Sequence, residues 1–417
     1  MKSDYSKLLS RLLKVNYMGG IKLGLKNCLE LDLLLHNPSQ AFSSVHVAGT
    51  NGKGSVSTKI AAACTASGLK VGLYTSPHIS CFRERIRING RMITEEQVQK
   101  HLSLLFSLCD QHGIKATFFE LTTMMAFVHF AAEKVDVAVL ETGLGGRLDA
   151  TNISRSILSI ITSISHDHTE ILGDSIDAIT KEKAGIIKAS IPVIIGPSVP
   201  KSLIEPIAHA HSGQCIQVTG AFEDYHEENC AVARKALEWL NVKEDYIEEG
   251  LQALPPCRLE TFTKDDLNKL GFSNPLPEAV ILDVAHNPEG LTQLLKAVRK
   301  RYGDFPLRFV IGLSSNKDVQ SCLSVVKDEG VAFHLIEGCN ERAVPNVKLA
   351  DDLRHLGLEN ERIVIEPSIS AAITNAVALA GQNNELVIVC GTFFIMSQAR
   401  QALGINESQD PTDMNER

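Results

Sequence analysis

Ten times along this chain a short apolar or β-branched run alternates with a stretch of helical spacing, and that alternation leaves little room outside the α/β class. Residues 45–48, 71–74, 135–140, 157–161 and 192–195 read as strands. Helical spacing covers 56–67, 95–111, 121–132, 176–184 and 231–240, with helix-start residues at Thr94 and Ser175 among them. After a break at Pro255 and Pro256 a second series follows. Its strands are expected over 279–283, 308–311, 332–336, 363–365 and 386–389, and its helices over 290–300, 319–326, 348–356, 370–379 and 395–403. Strands joined through helices lie mainly parallel, so the expectation is two α/β domains, residues 1–255 and a smaller 256–417. Residues 405–417 are polar and read as a frayed tail.

Composition narrows the function classes. Hydrophobic residues make up 44% and charged residues 22%, as in globular proteins, and no apolar run approaches the ~20 residues that span a bilayer. Residues 1–14 carry Asp4 and scattered lysines without the apolar core of a secretory signal, so a cytoplasmic protein is expected. The ten cysteines include no C-x-x-C pair, which fits reduced thiols better than disulfides or zinc. A net charge of -8 argues against a nucleic-acid partner.

The stretch "HVAGTNGKGSVS" (His46 to Ser57) stands where a strand should yield to a helix. A helix start offers unpaired N–H groups and a positive dipole end, which suits a phosphate. Gly49, Gly52 and Gly54 would let the backbone curl around it, Lys53 would add a point charge, and Ser55 a hydroxyl for phosphate or Mg²⁺. Gly54 separates Lys53 from Ser55, a departure from G-x-x-x-x-G-K-[ST]. Further strand ends deliver Ser76, in a turn that alone is only a proline turn, and Glu141, placed as a Mg²⁺ ligand. Another yields His166, Asp167 and His168, followed by a helix with Lys181, Glu182 and Lys183. Lys183 could join a metal site only as a carbamate formed with CO₂, and by spacing alone it reads better as a solvated helical lysine. In the second series Asp283 could bind a ribose hydroxyl, His286 and Asn287 open a helix, and Arg258 could reach a polyphosphate.

These stretches together resemble the folylpolyglutamate synthase and dihydrofolate synthase family of Mur-ligase-like, ATP-dependent amide ligases. The resemblance runs through "KLGLKNCLELDLLLHNP", "HVAGTNGKGS", "GLYTSPHI", "ERIRING", "FFELTTMMAF", "ETGLGGRLDATN", "DHTEILG", "KEKAGIIK", "CRLE" and "AHNPEG", in that order and over nearly the whole chain. It implies a P-loop-type N-terminal domain and a Rossmann-like C-terminal one. It also implies an enzyme that phosphorylates a folate-type carboxylate with ATP and lets L-glutamate displace phosphate, in a cleft whose two domains hinge near Pro255. The residues Gly49, Thr50, Asn51, Gly52, Lys53, Gly54 and Ser55 would hold the phosphates. Ser76 and Glu141 would bind a first Mg²⁺, Glu141 and His168 a second, with Lys183 carbamylated. Lys53, Glu141, His168 and Lys183 would form the catalytic set. Asn229, Arg258, Asp283 and His286 would serve the nucleotide. The pterin would lie against Leu23, Gly24 and Leu25 and the aromatic pair Phe118 and Phe119. The resemblance leaves room for a monovalent cation, and a monomer is the simplest assembly.

Two departures stand out. Val284 replaces a small residue usual in relatives and is expected to tighten the nucleotide pocket. The stretch from Val218 to Asn229 lacks a segment of on the order of 30 residues that many relatives insert there. A muramyl-peptide ligase would need a further N-terminal domain, and the 48 residues before Gly49 fall short of the ~100 of an ordinary one. A non-catalytic nucleotide switch would need no second metal site. The motifs leave open whether dihydropteroate, reduced folates or both are extended.

Overall fold

The computed structural model describes residues 4–19, 24–338 and 342–410, so Leu23 and the tail beyond Asp410 lie outside the described residues. The described chain divides into two compact units. The first holds residues up to Phe222, His226–Pro255 and Asp410, and the second holds Glu223–Tyr225 and Pro256–Gln409.

Among the described residues the first unit has eight strands: β1 (Ser43–Ala48), β2 (Val71–Tyr74), β3 (Ile86–Ile88), β4 (Arg91–Met92), β5 (Val137–Glu141), β6 (Ser156–Ile161), β7 (Val193–Ile195) and β8 (Cys215–Gln217). Their order is β4-β3-β2-β5-β1-β6-β7-β8, parallel except for β3 and β4 at one edge. Central strands buried on both faces must be apolar on both. In β5, Ala138 and Leu140 face one core and Val137 and Val139 the other. β1 differs, because Val45 and Val47 enter a core on one face while on the other Ser44 and His46 carry hydrogen bonds to Ser154 and Thr151 and Ala48 alone joins a core. From β1 the chain moves to β2 on one side, and from β6 to β7 on the other. The carboxyl ends of β1 and β6 therefore flank the point where strand order reverses, where open α/β sheets bind ligands.

The second unit has β9 (Glu260–Thr263), β10 (Ala279–Leu282), β11 (Leu307–Ile311), β12 (Gly330–Leu335), β13 (Ile363–Ile365) and β14 (Leu386–Cys390), ordered β13-β12-β11-β14-β10-β9. Only β9 runs antiparallel to its neighbour. One face carries Phe309 and Phe333, stacked at 5.2 Å between centroids. The other carries a buried polar network. Arg308 donates to both oxygens of Glu385 (2.6 and 3.2 Å) and lies 3.2 Å from His334 Nε2, while His334 Nδ1 sits 2.7 Å from Glu366.

All ten expected strands are present, with ends shifted by at most two residues, and Thr94 and Ser175 accept from the backbone N–H of Gln97 and Ala178 as helix caps. The unforeseen strands β4, β8 and β9 are edge strands and β3 lies next to an edge; all have two to four residues, too short for alternation to register. Helices Asp4–Gly19 and Lys26–Leu34 were also not foreseen. Residues 405–410, expected to fray, are instead anchored. Arg400 pairs with Glu407, Ser397 donates to Gln409, and Asp410 accepts from the Tyr5 hydroxyl (2.9 Å) and the Phe82 N–H (2.5 Å).

The Arg308–Glu385 pair is buried, so removing one partner strands the other charge. Arg308→Met is expected to cost about 3–5 kcal/mol in chemical denaturation, and the Arg308→Met/Glu385→Leu double variant distinctly less. Equal losses would contradict this account.

Candidate functional site

The glycine-rich loop leaves β1 after Ala48 and opens the helix Lys53–Ala66, three residues earlier than helical spacing alone indicated. Gly52 is its N-cap at φ 84, a left-handed conformation that favours glycine, and a Cβ there would collide with Asn229 Oδ1. A Cβ on Gly49 would collide with Thr162 Oγ1. The loop is tied to the end of β6: Thr50 N–H donates to Ser163 O (2.9 Å), Asn51 N–H to Ser163 Oγ (2.9 Å), and Thr162 Oγ1 to Asn51 O (2.6 Å). The helix start therefore presents its N–H groups from a fixed loop, as an anion requires.

Two lysines close on this loop. Lys53 Nζ donates to the carbonyls of Gly49 (3.0 Å) and Thr50 (3.1 Å), and Lys183 Nζ donates to the same Gly49 carbonyl at 2.8 Å. Lys183 is only 4% exposed, whereas Lys181 on the same helix Ile176–Ala184 is exposed. The solvated-lysine reading that spacing favoured is thus corrected for Lys183. Its burial follows from helix docking on the bare Gly146, where a Cβ would lie 2.8 Å from Lys183 O, with Arg147 paired to Glu182.

Glu141 ends β5 at 3% exposure, opposite Val47 in register. Its Oε2 accepts the Ser76 N–H at 3.1 Å and lies 3.3 Å from where a Gly54 Cβ would stand. Ser76, Glu141 and the loop are therefore neighbours. His168 opens the short helix Thr169–Leu172 at φ 51, its ring 3.9 Å from Asp167, and His166 is exposed. Among the described residues no group of three or more His, Cys, Asp and Glu side chains could hold a metal by itself. A buried carboxylate and a serine beside a phosphate loop fit Mg²⁺, which takes one or two carboxylates and completes its shell with phosphate and water.

The loop after Glu141 is held from within. Asp149 accepts the N–H groups of Gly143 (2.8 Å), Leu144 (2.9 Å) and Thr151 (3.0 Å), and Thr151 Oγ1 joins Asp149 to His46 Nε2 at 2.7 Å. Burial pushes the Asp149 carboxyl up, and burial followed by the Lys188 charge pushes the His46 ring down to about 3.

Asn229 is buried on the helix Tyr225–Trp239, its amide facing Gly52. In the second unit Asp283 follows β10 and accepts from the Tyr225 hydroxyl (2.8 Å), Leu259 N–H (2.7 Å) and Ala285 N–H (2.8 Å). Burial raises its carboxyl while Arg258 opposes the shift. The Arg258 guanidinium lies 5.1 Å from the Phe393 ring centre and the His286 ring 5.7 Å from it, so these three expected residues share one neighbourhood. Tyr225 and Phe393 belong to it too, though no local pattern pointed to either. Val284 is fully buried and its N–H bonds Cys257 O, so it packs the core rather than narrowing a pocket.

The pterin-side residues divide. Gly24 and Leu25 are described and Leu23 is not. Phe118, 2% exposed, packs edge-on against Phe82 with Arg85 over its ring, which corrects its assignment to a binding surface. Phe119 is half-buried, beside Gly143 and 6.0 Å from the Tyr74 ring.

Two family models match this chain, the Mur ligase middle domain over residues 47–196 and the Mur ligase glutamate ligase domain over 272–393. A dihydrofolate synthase/folylpolyglutamate synthase of Bacillus subtilis is 30% identical over 92% of this chain and 96% of its own length. The structure of Escherichia coli FolC in complex with DHPP and ADP superposes with a TM-score of 0.85 at 28% identity, over 96% of this chain and 98% of that one. The bifunctional folylpolyglutamate synthase/dihydrofolate synthase of Yersinia pestis, complexed with AMPPNP and Mn ion, gives 0.82 at 27% identity, over 97% and 99%.

The buried His46 has a testable consequence. Its folded pKa lies below the ordinary 6.5, so between about pH 6.5 and 3 the unfolded chain binds the extra proton, and stability is lost as the pH is lowered through that range. His46→Gln keeps a hydrogen-bonding side chain without the titration. Its stability-versus-pH slope is expected to be shallower by up to about 1.4 kcal/mol per pH unit between pH 6 and 4, and identical slopes would contradict a buried neutral His46.

Proposed function

As a member of the Mur ligase family, in its dihydrofolate synthase and folylpolyglutamate synthase branch, this chain is an ADP-forming acid–amino-acid ligase, and we propose that it joins L-glutamate both to dihydropteroate and to the glutamate tail of reduced folates. The observation that carries the assignment is one loop with three charged groups at hand, Lys53 and Lys183 on the Gly49 carbonyl and Glu141 beside Gly54.

A carboxylate is a poor electrophile at neutral pH, so it must first become an acyl phosphate. Lys53 and the helix N-terminus hold the β and γ phosphates and offset charge as the γ-phosphoryl moves to the acceptor carboxylate. Glu141 with Ser76, and Glu141 with His168, are the positions for two Mg²⁺ ions, which supply charge neutralisation and alignment of the phosphates when bound. The amino group of glutamate then displaces phosphate. Asn229, Arg258, Asp283 and His286 serve the nucleotide. Asp283 already accepts three protein hydrogen bonds, so a ribose hydroxyl takes a remaining lone pair. Leu25 and Phe119 are the described residues we retain for the pterin. Lys183 acts as a carbamate, formed when its amine adds to CO₂ and releases a proton, and its burial beside the loop supports this role. We propose action as a monomer in the cytoplasm. Among the described residues no helix is long and apolar enough to cross a membrane.

Lys53→Ala is expected to abolish glutamate-dependent ADP release while the fold persists, and near-normal turnover would defeat the phosphate-loop assignment. Lys183→Ala is expected to lose most activity and to regain part of it with added short carboxylic acids. Full activity without such rescue would remove the carbamate.

A further inference from the structure

The short stretch between Val218 and Asn229 holds a side chain that ligation itself does not use. Glu223, Asp224 and Tyr225 cluster with the second unit, while the helix that Tyr225 opens continues from His226 in the first. Lys300 fastens this tripeptide within the second unit, its Nζ 2.8 Å from Glu223 and 3.3 Å from Asp224. Tyr225 is thereby set against the residue that follows β10, and its hydroxyl donates to Asp283 Oδ2 at 2.8 Å. Burial, then the Asp283 charge, pushes the Tyr225 hydroxyl well above its ordinary range, so it keeps its proton and remains a donor.

The lone pairs of Asp283 show what this contact does. An ionised carboxylate has two acceptor sites on each oxygen. Oδ2 takes the Tyr225 hydroxyl and the Leu259 N–H (2.7 Å), so both of its sites are filled. Among the described residues Oδ1 takes the Ala285 N–H (2.8 Å) alone, which leaves one site. Asp283 is only 3% exposed, so its donors rather than bulk water decide what it can still accept. Burial works against its charge, and Arg258 and the three donors work for it.

We propose that Tyr225 is a specificity-setting residue for the nucleotide: by filling Asp283 Oδ2 it leaves Oδ1 as the one open acceptor, so that ribose is read through a single hydroxyl. This deepens, and rests on, the assignment of Asp283 to the ribose. A ribose carries two neighbouring hydroxyls, and a carboxylate with a site open on each oxygen accepts both. With Oδ2 filled, one hydroxyl donates to Oδ1 and the other gains nothing from Asp283. The Leu259 and Ala285 N–H groups hold the carboxylate by one oxygen each, so loss of the Tyr225 hydroxyl frees a site without turning the group. Tyr225 is thus a positioning residue that acts on the ribose through Asp283.

The test is calorimetric binding of ATP, 2′-deoxy-ATP and 3′-deoxy-ATP to the full chain with Mg²⁺, without glutamate or folate. The wild-type chain is expected to bind one deoxynucleotide like ATP and the other about tenfold more weakly, as loss of one hydrogen bond to a charged group implies. In Tyr225→Phe the freed Oδ2 site accepts whichever hydroxyl remains, so the ratio between the two deoxynucleotides is expected to fall to about one. A packing change alone would weaken binding of every nucleotide together and leave that ratio where it was. Equal losses for both deoxynucleotides in the wild type, or an unchanged ratio in Tyr225→Phe, would overturn the proposal while leaving Asp283 on the ribose. Equal wild-type affinity for ATP and both deoxynucleotides would instead remove Asp283 from the ribose, and the role of Tyr225 with it.

Discussion

The Gly49 carbonyl is the point on which the first unit's site turns. One backbone oxygen receives the ammonium groups of Lys53 and Lys183, from two helices that are far apart in sequence. Two ammonium groups on one carbonyl repel each other, which the proposed conversion of Lys183 to a carbamate would relieve, leaving Lys53 and the helix N-terminus for the phosphate. Everything that fixes this oxygen is therefore part of the site. The ties from Thr50 and Asn51 to Ser163 hold the loop to β6, and the bare Gly146 lets the helix bearing Lys183 come close.

A second constraint acts through the strand ends. β1, β2, β5 and β6 deliver the glycine loop, Ser76, Glu141 and His168 to one edge because they run parallel, so every strand contributes its following loop to the same side. The chemistry needs that convergence, since an acyl phosphate forms only where phosphate, metal and acceptor carboxylate are aligned at once. The Asp149–Thr151–His46 chain holds the loop after Glu141 by satisfying backbone donors with a buried carboxylate, at the cost of keeping His46 neutral.

How legible this was in the sequence depended on whether the determining interactions were local. Strand and helix periodicity, the caps at Thr94 and Ser175 and the glycine loop are local, and each was readable. Lys183 was not, because nothing in "KEKAGIIK" tells which lysine a docked helix turns inward. Phe118 and Phe119 are adjacent on one helix and so point about 100° apart, and only tertiary packing decides which enters the core. The Tyr225 bond to Asp283 and the anchoring of Asp410 join residues distant along the chain, 58 apart in the first case, beyond the reach of any periodic pattern.

The central claim is that this loop, with its lysines and carboxylate, drives glutamate ligation on folate-type acceptors. The direct measurement is ADP release by the purified protein with ATP, Mg²⁺ and L-glutamate, offered dihydropteroate in one reaction and tetrahydrofolate in the other. The account predicts glutamate-dependent turnover with both. Absence of turnover with either acceptor, from folded protein that still binds ATP, would contradict it.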